Sequence, residues 1–554
     1  MTATVQSPQR GHRLIIRVKQ VATGAVGTIA LATLASRLVG FIRWLAQSAF
    51  VGSGPTAGAY ASANQIPNII FEITVGGALA GLTVPLLAGH LTRGRQETAN
   101  RIASALFTWV TLILTAVALI VFLGAETIAH VLPVPTDTNV ASQYALITTF
   151  LRIFAWQIPL YGVSIVLTGV LQARKKFLLP ALAPLFASLV VIATFAGYGI
   201  LNPVKDGIPP RTAVLVLGWG TTAGVAALSL PLLIPVYRYG IRLRPTLKLT
   251  APERRKAISL GMAGLGALLA QQIAVIAGLW LMRVYGEGGT VAIFQYVQAV
   301  YWLPYAILAY PLATAAFPTL SEQGENGCDN RFCATCSWAT IRVTMASLVG
   351  VALLITMAPV AEQFFSILTP VPGMSSALTV MAPALVGYSL LFYGQRVFYS
   401  VAQSKVAWRI ALGAWLTVTV TAAILVPALA STGGDGIATL RGLAAAHAVG
   451  MSVGAVAVLV SIYYRVGAHA IDRLVPTVLR ALPLLVVTAT AGFISTSMLV
   501  RLNLHPLAVT ALSGTAGMVI LVVAIGYFGR RIVLGALTSA QPRFLANHDR
   551  GEDK

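Results

Sequence analysis

Apolar residues fill the chain in long stretches that are separated by short polar segments. An α-helix needs about 20 residues to cross the hydrocarbon core of a membrane, and most of the stretches reach that length. We predict about fourteen transmembrane helices, at 24–51, 58–91, 101–124, 142–173, 177–202, 211–237, 256–282, 290–320, 335–361, 374–403, 407–430, 438–464, 476–500 and 505–529. The pattern therefore predicts an all-α polytopic membrane protein.

Composition supports a lipid environment. Of the 554 residues, 57% are hydrophobic and 10% are charged, whereas a soluble domain carries about a quarter charged residues. The first apolar stretch is too long for a cleavable signal peptide and contains Arg37 and Arg43. The basic residues 10–22 are interspersed with aliphatic ones and are expected to lie on the inner membrane surface.

The net charge of +22 is spread over short loops. Basic residues concentrate in every second loop, for example at 174–176 and 238–256. Because basic loops stay in the cytoplasm, we predict an inner-membrane protein with both termini cytoplasmic. The chain has no basic domain with interleaved aromatic residues, so nucleic-acid binding is not expected.

Two pairs of similar segments indicate an internal repeat. Residues 173–177 follow helix 4 as residues 402–406 follow helix 10, and Pro85-Leu86-Leu87 resembles Pro318-Thr319-Leu320. We predict that helices 1–6 and 7–12 are pseudo-symmetric lobes related by an axis along the membrane normal. The predicted domains are a basic cytoplasmic segment 1–23, an N-lobe 24–240, a C-lobe 241–465, two extra helices within 466–529 and a cytoplasmic tail 530–554.

Five ionisable residues inside the predicted helices are the candidate site. Insertion of such a residue costs about 2.5–3.5 kcal/mol, so each is a functional hypothesis by default. Arg37, Arg43, Arg152 and Arg396 are predicted to form a cationic cavity, since guanidinium groups donate bidentately to phosphates. Snorkelling or structural ion pairs are the alternatives, and Arg396 is close enough to the cytoplasm to snorkel. Glu72 would either pair with a helix 1 arginine, which the balance of charge favours, or bind a coupling cation or proton.

Four glutamines also lie inside the predicted helices 7 and 8. Gln271, Gln272, Gln295 and Gln298 either line the facing side of the cavity or join helices by hydrogen bonds. No nucleotide-binding loop, nucleophile elbow or zinc-protease motif occurs, so neither an enzyme nor a cofactor is predicted.

Three cysteines cluster in an acidic inner loop, at positions 328, 333 and 336. Three thiols without a fourth ligand do not predict a metal site, and a reducing cytosol disfavours a disulfide.

The residues of helix 1 resemble a known family. The segments 36–43 (SRLVGFIR), 52–54 (GSG) and 66–68 (IPN) are similar to the MurJ/MviN family of lipid II flippases. Residues 169–173, 177–184 and 397–400 are similar to the same family, and residues 77–87 look like its actinobacterial branch.

The resemblance implies two six-helix lobes of the MATE-like exporter superfamily and a lipid-tail groove at helices 13 and 14. Arg37 and Arg43 match the family's helix 1 arginines of the central cavity. Other charged family positions are unmatched: they fall on Gly58, Phe71-Glu72, Val75-Gly76-Gly77, Ala299 and Trp302. A mechanism that relies on the family's helix 8 pair is therefore not expected for this chain.

The resemblance implies a flippase that moves lipid II, an undecaprenyl-diphosphate-linked disaccharide-pentapeptide, outward by alternating access. Lipid II, membrane lipids, and cell-wall synthesis and division proteins are the expected partners. An exporter of another polyprenyl-diphosphate glycan, a non-transporting scaffold for wall synthesis, and a drug exporter remain as alternatives. The scaffold would have to act with only about 25 residues after the last helix.

Overall fold

A computed structural model of the chain gives its helices. It describes residues 9–74, 80–203, 207–255, 265–324, 329–431, 434–502, 505–523 and 526. The helices are α1 Gln9–Phe50, α2 Pro55–Ile73, α3 Ala80–Thr92, α4 Gln96–Leu123, α5 Ala125–Val131, α6 Val140–Phe154, α7 Gln157–Ala173, α8 Leu178–Leu201, α9 Arg211–Ser229, α10 Leu233–Arg238, α11 Leu265–Tyr285, α12 Thr290–Pro304, α13 Tyr310–Gly324, α14 Asn330–Ser366, α15 Met374–Met381, α16 Ala384–Ser400, α17 Ser404–Leu429, α18 Gly436–Arg465, α19 Leu474–Val500 and α20 Pro506–Val523.

The described residues contain eleven helical runs that are long and apolar enough to span a membrane. A twelfth is obtained when α15 and α16, which are bent by 46° at their junction, count as one span. The prediction of an all-helical, multi-span membrane protein is therefore confirmed. The first predicted span corresponds to α1, and the second corresponds to α2 and α3 together. Residues 75–79, between α2 and α3, lie outside the described part of the chain. The count of fourteen spans therefore stays a prediction.

Two helices begin earlier than the predicted spans. Helix α1 runs without a break from Gln9 to Phe50, so residues 10–22 are helical and continuous with the first predicted span. Their predicted place on the inner membrane surface stays a prediction. Helix α14 begins at Asn330, where the side chain of Asp329 accepts a hydrogen bond from the amide of Phe332. This aspartate cap places Cys333 and Cys336 inside a helix and not in a loop.

Contacts between helices fall into two groups. In the N-terminal helix group (α1–α9), α8 packs on α1 and α9, and α7 packs on α4. In the C-terminal helix group (α11–α18), α18 packs on α16 and α17. The last two helices join the second group because α19 packs on α14 and on α20. The predicted boundaries of the lobes stay a prediction.

The same tight turn occurs once in each group. Lys175 follows α7 and Ala402 follows α16 with φ of 59° and 57°, and they are the non-glycine residues with positive φ in the described chain. Both turns carry the two hydrogen bonds of a Schellman cap, which the amides of Lys176 and Gln403 complete at the carbonyls of Leu171 and Phe398. The geometry fits the predicted duplication, with Lys175 as the counterpart of Ala402. The sequence match had paired Ala402 with Ala173, two residues away.

The two groups meet closely at one end of the molecule, which carries the loops 51–54, 132–139 and 286–289 and is called the interlocked end below. A Cβ added to Gly58 would lie 1.6 Å from the carbonyl oxygen of Gly288, and one added to Gly289 would lie 1.6 Å from that of Ser53. The hydroxyl of Tyr296 donates to the carbonyl of Gly52 at 2.6 Å. Only glycine permits these backbone approaches.

Candidate functional site

A cavity of about 500 Å³ lies between the two helix groups. Its volume lies in the range of ligand pockets in proteins. The N-terminal group lines it with Trp44, Gln65, Asn68, Phe71, Glu72 and Tyr161. The C-terminal group lines it with residues of α11, α12 and α15–α18, among them Gln271, Gln272, Gln295, Gln298, Trp302, Tyr388, Trp415 and His447.

Helical spacing explains which residues reach the cavity. Gln65, Asn68 and Glu72 lie three and four positions apart on α2 and therefore form one stripe. On α11 the stripe runs from Gln271 to Met282 at similar intervals. The cavity is thus bounded by one face of each helix.

Amide side chains supply most of the hydrogen-bonding groups. Gln271, Gln272, Gln295 and Gln298 all line the cavity, which confirms one of the two predictions made for them. The side chains of Gln295 and Gln65 meet across the groups at 3.5 Å. Gln272 is 3% exposed, and its Nε2 atom has no hydrogen-bond acceptor among the described residues. That donor is available to an oxygen atom of a ligand.

Arg37 and Arg396 come together on the side away from the interlocked end. The guanidinium of Arg37 lies 5.2 Å from the ring centroid of Tyr310, and that of Arg396 lies 3.4 Å from the ring centroid of Phe392. The rings of Tyr310 and Phe392 are 5.1 Å apart, and Tyr305 lies within electrostatic range of both cations. These five residues form a cationic aromatic cluster.

The cluster adjoins the cavity through Tyr388. This ring lines the cavity and makes an edge contact with Tyr305, with the ring centroids 5.0 Å apart. No carboxylate of the described residues forms a salt bridge with Arg37 or Arg396. Two arginines without a carboxylate partner in the described part of the chain therefore lie beside the cavity, and Arg396 donates to the carbonyl of Phe392 at 3.0 Å.

Arg43 lies six residues further along α1 than Arg37, toward the interlocked end. Its guanidinium is 4.8 Å from the ring centroid of Trp44, and Tyr161 lies within electrostatic range of both Arg43 and Glu72. The hydroxyl of Tyr161 donates to the side chain of Asn68 at 3.2 Å. Arg43 itself does not line the cavity, but Trp44 and Tyr161, which lie close to it, both do.

Glu72 lines the cavity, and it forms no salt bridge with a described residue. The ion pair with a helix 1 arginine, favoured from the sequence, is therefore not formed in this conformation. Tyr388 faces Glu72 from the other group. His447 is a further titratable side chain of the lining, with Nδ1 held 2.9 Å from the carbonyl of Leu443.

Other sequence candidates lie elsewhere. Arg152 pairs with Glu126 at 3.7 Å and does not line the cavity. Cys333 and Cys336 are buried in α14, and Cys328 lies outside the described residues. Within the described part, no three His, Cys, Asp or Glu side chains are placed to hold a metal ion.

Sequence reasoning missed Arg283 and the aromatic lining. Arg283 is buried in the last turn of α11, but the predicted span ended one residue earlier and left it in a loop. The tryptophans and tyrosines gave no signal because these residues are also enriched at membrane–water interfaces, where they serve as anchors. A continuation of the α11 stripe by four residues from Leu279 would have found Arg283.

The family model and the curated relatives agree on one family. The family model described as lipid II flippase MurJ matches residues 47–513. A probable lipid II flippase MurJ of Rhizobium tropici is 23% identical over 54% of this chain and 55% of its own length. One of Rhizobium meliloti is 26% identical over the same shares. A lipid II flippase MurJ of Burkholderia cenocepacia is 24% identical over 74% of this chain and 79% of its own.

The chain thus matches about half the length of the two rhizobial relatives. Among solved structures, a lipid II flippase MurJ in an inward closed conformation has a TM-score of 0.67 at 15% identity, covering 91% of this chain and 99% of its own. An inward-facing MATE multidrug transporter of the MOP superfamily has a TM-score of 0.62 at 15% identity, over 78% of this chain and 98% of its own. The two structures share their fold with this chain.

Proposed function

The chain belongs to the MurJ family of lipid II flippases, and we propose that it carries lipid II from the inner to the outer leaflet of the cytoplasmic membrane. The observation that carries this proposal is a cavity between two helix groups with two arginines beside it that pair with no carboxylate of the described residues. A diphosphate that leaves water needs fixed cations to replace its hydration.

Each part of the site suits one part of the substrate. Arg37 and Arg396 offer planar forks to the diphosphate. The amides and aromatic rings of the cavity offer hydrogen bonds and flat apolar faces to the sugars and the peptide. The exposed apolar residues of α19 and α20, such as Leu479, Val487 and Val519, suit the polyprenyl tail.

The positive-inside rule supports an orientation with both termini in the cytoplasm. The interlocked end then faces outward, and the cationic aromatic cluster lies on the cytoplasmic side of the cavity. Tyr310 lies 20 residues after the start of α12 at Thr290, which is about 30 Å along a helix axis. The substrate would enter past the cluster and leave after the interlocked end has opened.

Complementation of a lipid II flippase depletion strain tests the proposal. The parent chain is expected to restore growth and the appearance of lipid II in the outer leaflet, measured with an outside probe. Arg37→Ala should restore neither growth nor outer-leaflet lipid II, although the folded protein should accumulate to the normal level.

An exporter of a different polyprenyl-diphosphate glycan would need the same cations, and it is the second candidate for that reason. It predicts no restored growth and no outer-leaflet lipid II, although another diphosphate-linked glycan would be exported. A scaffold predicts that Arg37→Ala restores growth as well as the parent does.

A further inference from the structure

Arg283 joins the two helix groups at the interlocked end. It is 1% exposed. Its Nε donates to the carbonyl of Pro133 at 2.6 Å, one terminal nitrogen donates to the hydroxyl of Ser62 at 3.2 Å, and the other lies 3.5 Å from the side-chain oxygen of Gln143. All three acceptors belong to the N-terminal group, whereas Arg283 lies on α11 of the C-terminal group.

The partners of Arg283 are neutral. Among the described residues no carboxylate lies within salt-bridge distance of its guanidinium. The carboxylate of Asp137, which lies in the same loop 132–139 as Pro133, instead accepts from the amide of Gly288, at 2.9 and 3.0 Å. A buried cation that only neutral oxygens compensate is held less well than one paired with an anion. Arg283 therefore retains a preference for water or for an anion.

The contact between Arg283 and Ser62 lies on the same helix faces as the cavity lining. Ser62 precedes Gln65 of the α2 stripe by three positions, and Arg283 follows Leu279 of the α11 stripe by four. Residues at these spacings share a helix face. The two faces that bound the cavity thus converge on this hydrogen bond. Separation of the groups at the interlocked end would leave Arg283 facing the lumen.

We propose that Arg283 is a cation that changes partners during transport. With the interlocked end closed, it bonds the opposite helix group and helps to hold that end shut. With the interlocked end open, the guanidinium of Arg283 is exposed where the substrate leaves, and it binds the substrate's phosphate groups. The identity of this anion rests on the proposed function, whereas the closing role does not.

Cysteine labelling tests the closing role. In a background with its three cysteines replaced by serine, a single Gln65→Cys reports on the cavity from outside the cell, through a membrane-impermeant maleimide. Arg283→Gln is expected to raise the labelling rate several-fold, and Arg283→Lys less, because an ammonium cannot reach three acceptors in a plane. Arg211→Gln, at an exposed arginine that begins α9, is the matched control.

An unchanged labelling rate in folded Arg283→Gln would overturn the closing role. Folding is checked by the melting temperature in detergent, and Arg283→Lys serves if the glutamine variant does not fold.

Measuring the export of lipid II tests whether the exposed Arg283 binds the phosphate groups of the substrate. Ser62→Ala removes one acceptor and keeps the cation, so it should raise labelling yet lower export less than Arg283→Gln does. Arg283→Lys should export more than Arg283→Gln, because it keeps the charge.

If Ser62→Ala and Arg283→Gln lose export equally, Arg283 closes the interlocked end but does not bind the substrate's phosphate groups. If the parent itself exports no lipid II, the proposed function fails, while the labelling result still decides the closing role.

Discussion

At the scale of single residues, Arg37 and Arg152 have different surroundings. Arg37 contacts an aromatic ring in the cationic aromatic cluster, whereas Arg152 pairs with Glu126 away from the cavity. Hydrogen bonds to a charged group contribute about 1.5–3 kcal/mol. We therefore expect Arg37→Ala to lower lipid II export by about 10- to 100-fold, and Arg37→Lys to restore part of it.

Arg152→Ala is the matched control and should export like the parent. The measurement is outer-leaflet lipid II per folded protein. Equal losses in the Arg37 and Arg152 variants would argue against a role of the cluster in substrate binding.

Glu72 faces the cavity without an ion pair among the described residues. Glu72→Gln should therefore accumulate normally, because no buried cation loses its partner. Export should become insensitive to the ion or proton gradient, since glutamine keeps the volume but cannot titrate. Poor accumulation of this variant would instead favour a structural role in another conformation.

Glu253 lies outside the membrane spans and fixes the segment between the helix groups. Burial alone would raise the pKa of Glu253, but hydrogen bonds from Arg101 and from the amide of Thr250 outweigh burial and lower it. Because the folded-state pKa is lowered, this contact stabilises the folded protein at pH values above the unfolded-state pKa of about 4.3. The stabilisation is lost as the pH falls through the lower folded value.

Residues 241–250 should therefore resist a protease at pH 7 and become sensitive below about pH 4. Glu253→Gln should make them sensitive at both pH values. Glu97→Gln, at an exposed acid of α4, should not. A profile of Glu253→Gln that equals the parent's would rule out this anchor.

At the scale of helices, two glycines at the start of α2, Gly54 and Gly58, allow the closed interlocked end to be tested by substitution. A Cβ on Gly58 would overlap the carbonyl of Gly288, whereas nothing lies within 4 Å of one on Gly54. Overpacking of this kind costs about 1–3 kcal/mol. We expect Gly58→Ala to lower the melting temperature or to raise outside labelling at Gln65→Cys, and Gly54→Ala to do neither. Parent-like behaviour of Gly58→Ala would mean that the end is not closed as described.

The helical part of the site was largely predictable, because periodicity relates residues on one helix. Cavity lining was one of the two predictions made for the glutamines of α11 and α12, and their side chains do line it. The meeting of Arg37 with Tyr310, or of Arg283 with Ser62, depends on how separate helices pack. A single sequence does not encode such distances in any local pattern.

At the scale of the whole molecule, orientation follows from the distribution of basic loops. A reporter that is active only in the cytoplasm should work after Lys554 and after Lys256, and should fail when placed in 125–140. The reason is that translocation of loops rich in Lys and Arg is disfavoured. Activity at 125–140 would reverse the topology and, with it, the direction in which the interlocked end faces.

The tryptophans of the cavity have a further consequence. Trp44, Trp302 and Trp415 line it, and they are three of nine in the chain. Indole emission depends on the polarity of its surroundings, so a ligand that displaces solvent from these rings would shift the emission and shield it from collisional quenchers. The unlabelled protein thus carries an optical signal for occupancy of its cavity, and replacing the other six tryptophans by phenylalanine would isolate that signal.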